Sequence, residues 1–239
     1  MIDLHCHLLP GIDDGPQTME DALELARTAV ENGVSRAVVT PHIHHGRYEN
    51  DRSSINAAFD AFVEALRIRE IPLRIGFAAE VRIGPEIMPM IEGDMIPFLG
   101  TLGGFRILLL EFPHSHIPMG SEKLVMWLLS RKIRPMIAHP ERNKDVLRNF
   151  DRIAPFVGMG CFLQVTAGSV AGAFGPESRK AAIHLLEKEW VFALATDAHN
   201  LEHRPPELKP GRVAAEKVLG HDASWKLVRE NPMSLIHHE

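Results

Sequence analysis

The chain has 239 residues, 45% hydrophobic and 24% charged, with a formal net charge of −5. That composition excludes a disordered or fibrous protein, no run approaches the roughly 20 apolar residues of a membrane span, and no Lys/Arg run offers a nucleic-acid surface. The opening Met1-Ile2-Asp3-Leu4-His5 has no signal-peptide pattern, and two cysteines, Cys6 and Cys161, cannot build a disulfide framework, so a cytoplasmic protein without membrane insertion or a nucleic-acid partner is expected.

In chain order, residues 2–7 read as a strand, 19–32 as an amphipathic helix with Gly33 at its C-terminal cap, and 37–42 as a second strand. A helix over 55–70 and a strand over 75–80 follow, then a strand over 107–112 and a helix over 121–132. Strands over 135–139 and 162–166, a helix over 178–189 and a strand over 192–197 complete the pattern. The pairs Pro10-Gly11, Pro205-Pro206 and Pro210-Gly211 are expected in loops. Alternating strands and helices with continuously apolar strands imply a parallel sheet buried on both faces. The seven strands predict an α/β fold in which a distorted (β/α)7 barrel, TIM-barrel-like, forms a single domain over residues 1–239.

Functional residues of parallel α/β folds gather at the C-terminal ends of strands. Six of the seven runs end in or beside a metal-ligand residue type: His5 and His7, His42, Glu80, Glu111, His139, and Asp197 with His199. The run over 162–166 ends in the small polar Thr166-Ala167-Gly168-Ser169. His5 and His7, two apart on a strand, point to one face, and Cys6 between them points to the other as a small core residue. A lone His-x-His pair fits a satisfied polar pair equally well, and His42 or Glu80 alone fits a cap or salt bridge. Together with Asp13-Asp14 in the following loop, the set points to metal. Imidazole mixed with carboxylate, without thiolate, suits Zn, Mn or Fe rather than a Cys-rich structural zinc site. Nine candidate ligands, Asp14 among them, exceed the needs of one ion, so two or three ions are expected.

The opening Met1-Ile2-Asp3-Leu4-His5-Cys6-His7-Leu8-Leu9-Pro10-Gly11-Ile12-Asp13-Asp14-Gly15-Pro16 carries a resemblance, extended by Thr40-Pro41-His42, Gly46-Arg47-Tyr48-Glu49-Asn50 and Ala138-His139-Pro140-Glu141-Arg142. Gln164-Val165-Thr166-Ala167-Gly168-Ser169, Ala195-Thr196-Asp197-Ala198-His199-Asn200 and Arg204-Pro205-Pro206 continue it along nearly the whole chain. On these residues the chain resembles the PHP (polymerase and histidinol phosphatase) superfamily, and within it the bacterial metal-dependent protein-tyrosine phosphatases associated with capsule and exopolysaccharide synthesis. The resemblance implies a trinuclear site. His5, His7, Glu80 and Asp197 would hold one ion, with Glu80 bridging to a second that also takes Glu111 and His139. Asp14, His42 and His199 would bind the third. Arg142 and Arg204 match the family's arginines near the phosphate, where a guanidinium fork suits a phosphoryl group. Ile43-His44-His45 departs from forms with basic residues there, and His44 and His45 are expected to be loop or outer groups. The segment 169–175 receives no role, and His237-His238-Glu239 reads as a tail.

The expected chemistry is hydrolysis of phosphotyrosine by a metal-bridging hydroxide attacking phosphorus in line, with the ions and the two arginines stabilising the phosphoryl oxygens. A phenolate, whose conjugate acid has a pKa near ~10, leaves readily, and His42 or His199 is expected near the leaving oxygen. The resemblance implies the tail of an autophosphorylated tyrosine kinase as substrate. A thiol mechanism would need Cys with Arg six positions on, whereas Ile12 and Ala167 stand there. A small-molecule phosphatase of the histidinol-phosphate kind and a non-hydrolytic, metal-stabilised binding module are the alternatives, and the acidic balance disfavours a DNA-trimming nuclease.

Overall fold

The computed structural model describes residues 1–236, so the expected tail at 237–239 lies outside the described residues. Ten strands occur: β1 Ile2–Cys6, β2 Arg36–Val39, β3 His42–Ile43, β4 Arg74–Phe77, β5 Glu80–Arg82, β6 Gly100–Leu102, β7 Phe105–Glu111, β8 Ile133–Ala138, β9 Phe162–Thr166 and β10 Val191–Ala195. All pair in parallel except β6, which is antiparallel to β7. The ladders run β1-β2-β4 and β10-β9-β8-β7-β5-β3.

Two expected strands are each broken in two. The run over 37–42 parts at Thr40-Pro41, where proline has no N–H for the ladder. The run over 75–80 parts at Ala78-Ala79, yet backbone bonds from Ala78 N to Val39 O (2.9 Å) and from Glu80 N to Pro41 O (3.1 Å) carry the pairing across. A parallel bridge between Cys6 and Ala198 links the end of the β10 stave back to β1. Counting β2/β3 and β4/β5 as broken staves, the ring is the distorted, TIM-barrel-like α/β arrangement expected from the sequence.

Helices flank the staves for local reasons. Helix Met19–Glu31 starts where the Thr18 hydroxyl accepts from Asp21 N at 3.2 Å, and it buries Ala22, Leu23, Leu25, Ala26 and Ala29. Helix Arg52–Ile68 starts at a reciprocal cap between Asp51 and Ser54. Pro210 and Gly211 were expected in a loop; both lie instead in helix Leu208–Leu219. Proline is tolerated in a first turn, where the N–H has no helical partner, and Gly211 packs so closely that a Cβ would stand 2.5 Å from Ala167 Cα. The hairpin β6–β7, unanticipated from sequence, turns on Gly103 and Gly104, whose φ values of 58° and 79° suit a two-residue turn.

The apolar side chains separate into two layers. Ile2, Leu4, Val38, Ile107, Leu109, Met136, Ala138 and Ala193 fill the ring, and Leu235 joins them from the terminal helix Asn231–Leu235. That helix closes the ring at the starting ends of the strands, and Gly100 leaves room for the Leu235 carbonyl, which a Cβ would meet at 2.0 Å. Register shifts between Asp3 and Cys6, so Leu4 belongs to the inner layer and Cys6 to the layer under the helices. The opposite end of the ring is left to polar residues.

Candidate metal centre

Sheet register brings the polar residues together. Parallel pairing sets His42 opposite Glu80 and Arg82 opposite Glu111. His5 and His7 come from the end of β1, His139 follows β8, and Asp197 and His199 follow β10. His139 and Asp197 take left-handed backbone conformations, φ 33° and 53°. The other described non-glycine residues with positive φ follow helix ends, where that geometry is a normal cap. Strain of about 1–3 kcal/mol at a strand end is tolerated only where its surroundings hold it. Asp197 N donates to His5 O at 2.8 Å, and Asp3 accepts from Thr196 N at 3.0 Å, so this stave is tied to β1 on both sides of the kink.

Three of the five imidazoles are oriented through Nδ1 by an oxygen acceptor. His5 Nδ1 donates to Gln164 Oε1 (2.8 Å), His7 Nδ1 to Asp13 Oδ2 (2.7 Å) and His199 Nδ1 to the Asp197 carbonyl (2.8 Å). Donation from Nδ1 leaves the Nε2 lone pair of each ring facing the centre. The Nε2 atoms of His5 and His7 then stand 3.2 Å apart, each 3.3 Å from Glu80 Oε2 and 3.3 and 3.5 Å from Asp197 Oδ1. Lone pairs and carboxylate oxygens converging at that spacing repel unless a cation lies among them.

Three groups offer donor atoms within 4.8 Å of one another: His5, His7, Glu80 and Asp197; His7, Asp14, His42 and His199; and His42, Glu80 and Glu111. His42 Nδ1, Glu80 Oε2, Glu111 Oε2 and His199 Nε2 are buried without a hydrogen-bond partner. Oxygen and imidazole donors with buried, unused lone pairs fit divalent ions. Burial pushes the carboxyls of Glu80, Asp197 and Asp14 up, and the surrounding His and Arg charges override it and hold all three well below the usual range. Burial and the neighbouring Glu80 push Glu111 up to about 8. Burial and Arg142 lower His139 to about 4, and burial and the neighbouring His7 lower His199 to about 4.

Arg142 and Arg204 converge on the same carboxylate. Arg142 Nη2 lies 2.7 Å from Asp197 Oδ2 and Arg204 Nη1 lies 3.7 Å from it, while Arg204 Nη2 is 3.3 Å from Asp14 Oδ2. Arg142 is packed 4.8 Å over the Phe174 ring, so the segment 169–175, without a role from sequence, supplies a platform for that guanidinium. His44 and His45 stand outside the three donor groups: His44 makes a backbone bridge with Tyr48, and His45 pairs with Glu49 at 3.4 Å.

All nine candidate ligands lie in this one assembly. The donor atoms of His42, Glu80 and Glu111 lie within 4.8 Å of one another, and His139 Nε2 meets Glu80 Oε1 at 2.7 Å. Sequence reading placed Asp13 with the metal-directing set without a role and missed the rest of the supporting shell. Gln164 and Asp13 orient imidazoles, Arg82 Nε reaches Glu111 Oε2 at 2.9 Å, and buried Glu141 accepts from Thr166 N (3.0 Å) and the Ser169 hydroxyl (2.7 Å). Gln164 and Glu141 stand within the quoted motifs, which is the signal that could have found them.

Comparison with known proteins bears out the family expected from these motifs. Residues 1–237 match the family model described as capsular polysaccharide synthesis, CpsB/CapC. The chain is 34% identical over 240 residues to the tyrosine-protein phosphatase YwqE of Bacillus subtilis (strain 168), covering 100% of this chain and 92% of YwqE. It is 30% identical over 251 residues to the tyrosine-protein phosphatase CpsB of Streptococcus pneumoniae, covering 99% and 98% of the two chains. Among solved structures it superposes, at a TM-score of 0.91 and 32% identity over 98% of this chain and 94% of the other, on one from a crystallographic study of YwqE and CpsB as metal-dependent tyrosine phosphatases. A phosphotriesterase homology protein from Escherichia coli shares the fold at a TM-score of 0.62 and 15% identity, covering 98% and 97%. With its ring of staves, its converging imidazoles and a match along 1–237, this chain belongs to the CpsB/CapC family of capsular polysaccharide synthesis.

Proposed function

We propose that the chain is a metal-dependent protein-tyrosine phosphatase acting as one domain over residues 1–239. The observation that carries this reading is the orientation of His5, His7 and His199, whose Nδ1 protons go to Gln164, Asp13 and the Asp197 carbonyl so that three Nε2 lone pairs face carboxylates. His5, His7, Asp14, His42, Glu80, Glu111, His139, Asp197 and His199 are read as the ligands of two or three ions, for which Mn, Fe or Zn is chemically suited. Such ions, when bound, make water a nucleophile at neutral pH and neutralise phosphoryl oxygens.

The chain's own groups do the rest. Arg142 and Arg204, anchored on Asp197 and Asp14, present guanidinium forks to a phosphoryl group. Burial of the ligand shell keeps these charges in a medium where they act strongly and need no reorganisation. His42 and His199 both stand 3.3 Å from Asp14 at the half-exposed side, which a leaving phenolate oxygen would face. Tyr48 lies parallel to His42 at a centroid distance of 5.4 Å and offers an aromatic wall to an aryl ring.

Identities of 34% and 30% to tyrosine-protein phosphatases, over nearly the whole chain, support phosphotyrosine in a protein over a small phosphoester. The proposed substrate is the tail of an autophosphorylated tyrosine kinase controlling capsule or exopolysaccharide synthesis. Among the described residues no helix is long and apolar enough to cross a membrane; two buried free thiols suit the proposed cytoplasmic setting. Phosphate release from a phosphotyrosine peptide is expected to stop on chelation, return with added Mn, Zn, Fe or Co, and be lost in His5→Ala and Asp197→Ala. Faster turnover of histidinol phosphate than of the peptide would replace this reading with a small-molecule phosphatase. Metal-loaded protein that binds the peptide and never releases phosphate would replace it with a binding module.

A further inference from the structure

Beside the metal centre a second cleft, about 620 Å³ in volume, opens between His114, helix Lys144–Arg148 and the start of helix Pro176–Glu187. Arg142 is the wall between the two. Its guanidinium reaches Asp197 at 2.7 Å on one side and covers Phe174, which lines the cleft, on the other. Lys144 and Arg148 stand exposed at the mouth. Arg148 has a 3.5 Å pair with Asp145, and Lys144 has no ion-pair partner among the described residues. Glu177 is the one carboxylate in the lining.

The cleft is electropositive for more than one reason. Helix Pro176–Glu187 begins at Gly175 with no side-chain cap, so its first N–H groups add the partial positive charge of a helix start. Burial, followed by the charges of Arg142, Lys144 and Arg82, holds the His114 imidazole below its ordinary range, and Glu177 in the first turn of the helix is the one carboxylate set against the cations of the lining. A chain of net charge −5 thus turns a group of cations toward one hollow that borders its phosphate site. Phe174 gives that hollow an apolar floor. None of Lys144, Arg148 or His114 is among the candidate ligands or the two arginines of the centre itself.

We infer that this cleft takes a second anionic side chain of the peptide substrate, a phosphate or a carboxylate lying within about three positions of the phosphotyrosine at the metal centre. An extended peptide advances about 3.3–3.6 Å per residue, and one arginine side chain separates the two hollows, so neighbouring residues of a single segment reach both. The inference rests on the phosphotyrosine reading and refines it: the enzyme is selective for clustered or acid-flanked phosphotyrosines.

The test compares the full-length, metal-loaded native protein with Lys144→Ala, Arg148→Ala and the double variant. Four substrates serve: a small aryl phosphate, a phosphotyrosine peptide with neutral flanks, the same peptide with Glu two positions away, and one with a second phosphotyrosine there. An exposed charge pair is worth up to about a fivefold change in affinity. KM for the two anionic peptides is therefore expected to rise about threefold to fivefold with each cation removed, at unchanged kcat, while the aryl phosphate and neutral peptide stay within twofold. A larger loss for the doubly phosphorylated peptide assigns the cleft to phosphate, and equal losses assign it to either anion. Losses shared equally by neutral and anionic peptides, or no loss, would overturn the inference. Fluorescence anisotropy of the same peptides reads binding without turnover. Absent phosphate release then counts against the phosphatase reading, and equal binding of neutral and anionic peptides counts against the cleft.

Discussion

Replacing Asp13 with Asn separates the charge of this residue from its shape. One carboxylate oxygen accepts from His7 Nδ1 at 2.7 Å and from the His42 amide at 3.1 Å, and the other accepts from the Gly15 amide at 2.9 Å. Asparagine has a single oxygen for these donors. If it keeps the Gly15 amide, its amino group faces His7, whose ring must turn Nδ1 into an acceptor and carry its proton on Nε2. That is the atom 3.3 Å from Glu80 and 3.5 Å from Asp197, so the proton occupies the position a ligand lone pair should hold. If the oxygen turns to His7 instead, the amino group opposes the Gly15 amide, and a buried donor left unpaired costs about 1–3 kcal/mol. Loss of an outer partner of a metal-binding histidine weakens binding about 10- to 100-fold, equivalent to about 1.4–2.8 kcal/mol. Competition for metal against a chelating dye measures the affinity, and thermal melting with and without metal separates it from folding. Asp13→Asn is expected to weaken metal binding by that factor and to regain part of its rate at high metal. A variant that binds metal within twofold of the native protein at native rate would refute the role given to Asp13.

Glu111, pushed up to about 8 by burial and Glu80, holds its proton at neutral pH in chelated protein. Metal capture must expel that proton, so affinity should rise by up to about tenfold per pH unit below pH 8 and level off above it. Proton release in a weakly buffered metal titration checks this, and equal release at pH 7 and pH 9 would contradict it. Burial raises the thiol of Cys161 to about 12 and that of Cys6 well above its usual value. Iodoacetamide at neutral pH should therefore leave activity intact, whereas rapid inactivation would mean that one of these thiols is accessible and reactive. Gly211→Ala would set a methyl 2.5 Å from Ala167 Cα and force two packed helices apart. That overpacking should cost about 1–3 kcal/mol and lower Tm by about 2–10 °C; an unchanged melting temperature would show that the helices give way freely.

How far the sequence reaches depends on how local the cause is. Strand-forming runs, the helix end at Gly33, and the His, Asp and Glu residues at strand ends are legible because residue type and short spacing determine them, whereas the caps at Thr18 and Asp51 emerge only in the structure, which starts the second helix at Arg52 rather than 55. The motifs also determined the family, since their order spans the chain. Pro210-Gly211 was misread because turn chemistry and close helix packing use the same residues, and only Ala167 on a neighbouring helix tells them apart. Tertiary structure alone decided which nitrogen of each imidazole faces inward. His5 takes its orientation from Gln164, 159 positions away, and no spacing rule connects the two. It also decided that His42 stands opposite Glu80, a result of the register between β3 and β5. The shared reason is that lone-pair direction and burial belong to the packed ring, where residues distant in the chain face one another, and not to any short stretch of it.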